Sequence, residues 1–203
     1  MRTERNRDGT FNVWMSRDEY RELPRQAHSG LAEVALRLMG DCGLRVAEVP
    51  DVTVEDISRR SDGRHYKLRV TGAKDTTGTY EGGKYRETWL PVDLEAHVNR
   101  IVQQPANEIE DGDSVVRRSK RTLQNWVERA AAAAAEETGD EDYRKVSTHD
   151  LRRCWAHHLL VEEGVSPRIV MALGGWSSYD AIEPYLAAPT EENINREMQR
   201  VEL

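Results

Sequence analysis

Four short stretches of this sequence carry side chains suited to chemistry on an anion. DCGLRVAEV (41–49) holds Arg45 in a turn with Glu48 three residues on, and THDLRRCWAHHLL (148–160) holds His149 and Arg152, also three apart. LGGWSS (173–178) supplies Trp176, and EPYL (183–186) supplies Tyr185, nine residues after Trp176. A guanidinium keeps its charge near neutral pH, and its planar fork matches a pair of oxyanion oxygens. An imidazole titrates near neutrality, so His149 can hydrogen-bond an anion or accept a proton. An indole N–H donates a single hydrogen bond and shuttles no proton. A tyrosine hydroxyl becomes a nucleophile when a base stands beside it. Each residue also has an ordinary reading: Arg45 as a helix-end cap, His149 as a helix N-terminal residue, Trp176 as a core aromatic, Tyr185 as a tyrosine beside Pro184.

The elements that must position these residues are visible as patterns. Residues 1–27 are polar and broken by Gly9 and Pro24, apart from Val13, Trp14 and Tyr20, so they read as an arm, with the packed region starting near Ser29. Leu31, Val34, Ala35 and Leu38 follow a helical spacing that Gly40 and Gly43 close, which puts Arg45 just beyond a helix end. HYKLRVT and KYRETWLP alternate as two strands, and Gly72 to Gly83 between them reads as a long glycine-rich hairpin loop carrying Lys74. Leu94 to Val102 and Thr122 to Glu137 read as helices, the second containing the alanine run 130–135. A helix from Asp150 to Glu163 stops at Gly164, and Ser166-Pro167 opens a short one that ends at Gly174-Gly175. In the tail, Ile194, Met198 and Val201 make a narrow apolar stripe.

In their order and spacing, these segments resemble the signature of the tyrosine recombinase (phage integrase) family, over roughly residues 30–190. That signature is an arginine in a GLR-x-x-E box, a lysine in a β-hairpin, H-x-x-R, and then a His or Trp nine residues before the tyrosine nucleophile. The resemblance implies an α+β fold, mainly helical, with a small antiparallel β-hairpin or sheet on one side. It implies an arm at 1–27, a catalytic domain at 28–189 and a tail helix at 190–203. The activity implied is site-specific recombination or integration, cutting and rejoining DNA through a 3′-phosphotyrosyl intermediate. Tyr185 would attack, Arg45 and Arg152 would hold the phosphate, His149 would bond the phosphate or take the tyrosine proton, and Trp176 would take the His-or-Trp position. Lys74 sits where the family's leaving-group acid sits, with Lys84 on the same hairpin as the alternative. Glu48 and Arg153 would support them, Glu48 by orienting an arginine and Arg153 by bracing the site or touching DNA. No cofactor and no metal are implied, and double-stranded DNA is the implied partner, with self-association on DNA.

One departure bears on activity: family members usually carry a helical DNA-clamping domain ahead of the catalytic one, and about 30 residues precede the first core helix here. The expectation is therefore a separate clamping partner, or else a DNA-binding or regulatory protein on the same fold with little recombinase activity. LGGW stands where LGH is commoner.

Composition sets further bounds. The formal charge is −7, which by itself argues against a polyanionic partner. Five lysines against 24 arginines, with acids spread along the chain, resemble proteins of salt-loving organisms, the haloarchaeal members of the family among them. Cys42 and Cys154 are expected as reduced, buried side chains. His157 and His158 tempt a metal assignment with Cys154, but adjacent residues point to different helix faces. The charged N-terminus lacks an apolar signal core and no segment is apolar enough to span a bilayer, so a cytoplasmic protein without a membrane partner is expected.

Overall fold

Helix α2 (Gly30–Gly40) is apolar on nearly every side and forms the centre of the molecule. Ser29 caps it, its Oγ accepting from the Ala32 N–H at 3.2 Å. Val34, Ala35, Leu36, Leu38 and Met39 are all fully buried. The helix stops through Gly43, whose φ of 69° lets the Leu44 N–H reach back to the Leu38 carbonyl at 3.1 Å. No larger residue fits at Gly43, because a Cβ would lie 2.4 Å from the Trp155 ring. This forced turn delivers Arg45 to the surface.

The computed structural model describes residues 1–71, 85–107, 109–110 and 112–185, together with Asn195, Met198 and Gln199. Around α2 pack α1 (Arg17–Arg25), α3 (Val92–Val102), α4 (Lys120–Thr138) and α5 (Thr148–His157). In α4 the alanines at 130, 131, 134 and 135 form a buried face, so the alanine run serves close helix packing. A three-stranded antiparallel sheet of β3 (Ile57–Arg59), β4 (Tyr66–Thr71) and β5 (Tyr85–Leu90) flanks the helices, in the order β3-β4-β5. Tyr66, Leu68, Val70, Thr88 and Leu90 face the core, while Arg69, Glu87 and Trp89 face outward. The mainly helical α+β class is thus the observed one. The third strand, β3, was not expected: it is three residues long and too polar to show alternation, and Ile57 pairing with Leu68 holds it.

Two other segments differ from expectation. The residues before Ser29 do not stand apart as an arm. They form a hairpin of β1 (Arg2–Arg5) and β2 (Phe11–Trp14), followed by α1, and Val13, Met15, Tyr20 and Leu23 lie in the main core. The apolar residues are too few and too scattered for a pattern; what fixes them is distant in sequence. Asp150 accepts from the Val13 N–H at 3.0 Å, and the Tyr143 hydroxyl donates to the Glu19 carbonyl at 2.9 Å. Second, the helix expected to run to Glu163 changes after His157 into a π-turn over His158–Glu162, where the Glu163 N–H reaches the His158 carbonyl at 2.9 Å. Helix α6 (Pro167–Gly174) then leads through Gly175, with φ 71°, into the segment that carries Trp176 and Tyr185. Among the described residues, no helix is long and apolar enough to cross a membrane.

Candidate active site

His149 and Arg152 are placed by the start of α5. Asp150 accepts from the Ser147 N–H at 2.8 Å and from its hydroxyl at 2.6 Å, which fixes the first turn and points both side chains the same way. The Arg152 side chain is 2 % exposed. One arm donates to the Gly43 carbonyl and the other to the Gly174 carbonyl at 2.6 Å, so the guanidinium joins the ends of α2 and α6, where helix dipoles favour a cation. It lies 4.2 Å over the Trp176 ring. Burial, then the charges of Arg45 and Arg86, pull the Arg152 pKa down to about 9, with Glu48 opposing. A buried cation pressed by two others gains from an arriving oxyanion.

Arg45 and Glu48 face each other across the turn after α2. Glu48 accepts from the Arg45 N–H at 2.6 Å and from its Nη1 at 2.8 Å, while the Arg45 side chain stays 45 % exposed and free to reach a ligand. Burial works to raise the Glu48 pKa, yet the hydrogen bonds and charge of Arg86, and then those of Arg45, hold it below the usual carboxylate value.

Tyr185 ends a short 3-10 turn, Glu183–Tyr185, anchored by the fully buried Ile182. Its hydroxyl lies 3.3 Å from His149 Nε2, and its ring centre 5.3 Å from that of Trp176. Trp176 in turn stacks on Trp155 at 5.9 Å. Burial lowers the His149 pKa, the charge of Arg153 adds to that, Asp150 opposes, and Arg152 and Arg45 lower it further. The imidazole is therefore neutral at pH 7, and a neutral ring whose Nε2 lacks a proton accepts from the phenol.

Beside these groups opens a cleft of about 320 Å³ whose walls include Arg45, Lys120, Gln124, His149 and Arg152, with no carboxylate among the described residues that line it. An acidic chain thus presents a basic cleft. Five of the six residues expected in the site, Arg45, His149, Arg152, Trp176 and Tyr185, come together here. Lys74 and its alternative Lys84 lie outside the described residues. Arg153 is buried and its guanidinium is engaged by Asp150 and by Asn12 at 2.8 Å, which ties α5 to the N-terminal hairpin. Three residues of the neighbourhood escaped the sequence reading: Asp150, Lys120 and Arg86. Asp150 was visible as the third residue after Ser147, the spacing of a capping box; Lys120 and Arg86 carry no local signal. Cys42 and Cys154 are free and buried, and burial pushes the Cys154 thiol up to about 12. Among the described residues, no group of three or more His, Cys, Asp or Glu is placed to hold a metal.

Residues 14–192 match the phage integrase family. This chain belongs to the phage integrase family. It is 30% identical over 156 residues to the tyrosine recombinase XerD of Proteus mirabilis, an alignment covering 77% of this chain and 47% of that protein. Its fold is similar to the crystal structure of XerA recombinase, with a TM-score of 0.69 at 17% identity, covering 93% of this chain and 64% of the other. XerH bound to a palindromic difH substrate in a post-cleavage complex gives a TM-score of 0.69 at 15% identity, covering 92% and 52%. The chain thus spans about half the length of the curated relative it matches. The match begins at residue 14, within β2, in keeping with a packed region that starts before Ser29.

Proposed function

We propose that this chain carries the catalytic part of a site-specific DNA recombinase or integrase that works through a 3′-phosphotyrosyl intermediate. The observation that carries the reading is the Tyr185 hydroxyl, 3.3 Å from the neutral His149 at the edge of a cleft walled by Arg45, Lys120 and Arg152. Tyr185 Oη attacks the scissile phosphorus and its proton passes to His149 Nε2. Negative charge growing on the non-bridging oxygens is met by Arg45 and Arg152, which are held in place before the reaction. The bond from phosphorus to the 5′ oxygen breaks, and Lys74 supplies the proton that this oxygen needs. Trp176 holds the tyrosine segment by ring packing. The phosphotyrosine conserves the energy of the broken phosphodiester, so a 5′ hydroxyl attacking it rejoins DNA without ATP.

Double-stranded DNA is the substrate. A clamping partner or further segment supplies the second half of the grip, and protomers associate on DNA. The catalytic unit takes in the N-terminal hairpin and everything through Tyr185, while the expected tail helix at 190–203 lies outside the described residues apart from Asn195, Met198 and Gln199. The setting is cytoplasmic, and the arginine-rich, acidic composition suits a salt-rich cell of the haloarchaeal kind. The test is a duplex nicked so that the 5′ fragment escapes after cleavage. A recombinase accumulates a covalent protein–DNA adduct on it; binding without adduct would replace this reading with that of a DNA-binding or regulatory protein.

A further inference from the structure

We infer that Arg86 is a positioning residue that locks the hairpin strand to two other segments of the site and keeps Glu48 from neutralising the phosphate-binding arginines. The inference rests on the recombinase reading above. Arg86 lies on β5, the strand that follows the loop carrying Lys74, and its side chain is only 8 % exposed. Both arms grip Glu48: Nη1 donates to Oε1 and Nη2 to Oε2, each at 2.8 Å. Its Nε donates to the Leu173 carbonyl at 2.9 Å, three residues before Trp176. Its stem also fills the space beside Gly175, where a Cβ would lie 2.8 Å from Arg86 Cδ. One guanidinium on β5 therefore touches both the turn of Arg45 and the end of α6.

The charge pattern explains why an arginine is wanted. Glu48 is buried, and among the described residues the cations facing it are Arg45 from its own turn, Arg86 from β5 and Arg152 from α5. Glu48 already accepts from Arg45 Nη1, and without Arg86 it would lean on that arginine alone among its hydrogen-bond partners in the described residues and draw its charge away from an incoming phosphate. A bidentate partner on the far side saturates the carboxylate and leaves Arg45 half-exposed toward the cleft. A lysine would keep the charge but could not make three in-plane bonds. Among the described residues the three Arg86 bonds all go to protein atoms, so it acts on the reaction through its neighbours.

The experiment is single-turnover adduct formation on the nicked duplex, over a range of DNA concentrations, with the unmodified protein, Arg86→Lys, Arg86→Gln, Glu48→Gln and the double variant Glu48→Gln/Arg86→Gln. Arg86→Gln is expected to lower the maximal rate constant about tenfold or more while the half-saturating DNA concentration stays within about twofold, the pattern of misplaced reacting groups. Arg86→Lys should recover part of the rate. A fold defect alone would lower the adduct amplitude and leave the rate constant of the active fraction unchanged, which would overturn the inference. On the Glu48→Gln background, Arg86→Gln should cost less than about threefold further, because coupled residues are not additive; independent multiplication of the two effects would also overturn it. If Arg86→Gln is insoluble, Arg86→Lys decides by the same readouts. No adduct from the unmodified protein removes the recombinase reading and this role with it, a result distinct from a normal rate in the Arg86 variants.

Discussion

A single methyl group at Gly174 tests how tightly the tryptophan is pinned. Gly174 is the last residue of α6, and a Cβ there would lie 2.1 Å from Trp176 Cζ3 and 2.3 Å from Cε3, well inside contact distance. Both atoms belong to a rigid ring, so Gly174→Ala must swing the indole away. The ring then loses its place under Arg152 at 4.2 Å and against Tyr185 at 5.3 Å. Overpacking of this kind costs about 1–3 kcal/mol, and lost cation–π and aromatic contacts add about 1–2 kcal/mol. The gain from alanine over glycine in a helix offsets about 1 kcal/mol, so we expect a net loss of about 1–4 kcal/mol in urea unfolding followed by tryptophan fluorescence. Because the indole seats the nucleophile, a displacement near 1 Å should slow adduct formation about a hundredfold. A variant as stable as the parent within about 0.5 kcal/mol and cleaving at the parental rate would refute the packing argument.

The low His149 pKa fixes the direction of the pH dependence: the ring is neutral above its depressed value, so the adduct rate should be flat at neutral pH and fall on an acid limb centred below the usual imidazole value. This acid limb should vanish in His149→Gln, and a limb centred above pH 7 would contradict the account. Arg45→Ala and Arg152→Ala should each slow cleavage by on the order of a hundredfold or more, the loss typical of a preorganised oxyanion donor, with near-parental rates placing the phosphate clamp elsewhere. A substrate whose leaving group is a 5′-bridging sulfur needs little protonation, so it should rescue Lys74→Ala, and failure to rescue would move the acid to Lys84 or to water.

Much of the site was legible because its residues sit at element boundaries that the sequence marks. Gly43 and Gly175 stop helices and Pro184 precedes Tyr185, so their spacing already implies where the chain must turn. The glycines also proved to be places where a ring leaves no room for a side chain, which a sequence alone does not reveal. Illegible were residues whose roles depend on contacts distant along the chain. Arg86 meets Glu48 across 38 positions and Leu173 across 87, and although it shares the inner face of β5 with Thr88 and Leu90, nothing in KYRETWLP points to either partner. The N-terminal hairpin was missed for the same reason: Val13 and Asn12 are fixed by Asp150 and Arg153, far along the chain. Net charge taken alone points away from an anionic partner, since −7 sums the whole chain while the lining of the cleft is basic.

The central claim is that Tyr185 becomes covalently joined to DNA. Proteolysis of the adduct trapped on the nicked duplex, followed by mass spectrometry, identifies the modified residue directly. The account predicts a single peptide spanning Tyr185 that carries a 3′-phosphonucleotide on the phenol oxygen, and no adduct from Tyr185→Phe although that variant still binds the duplex. An adduct on any other residue, or one that survives in Tyr185→Phe, would contradict it.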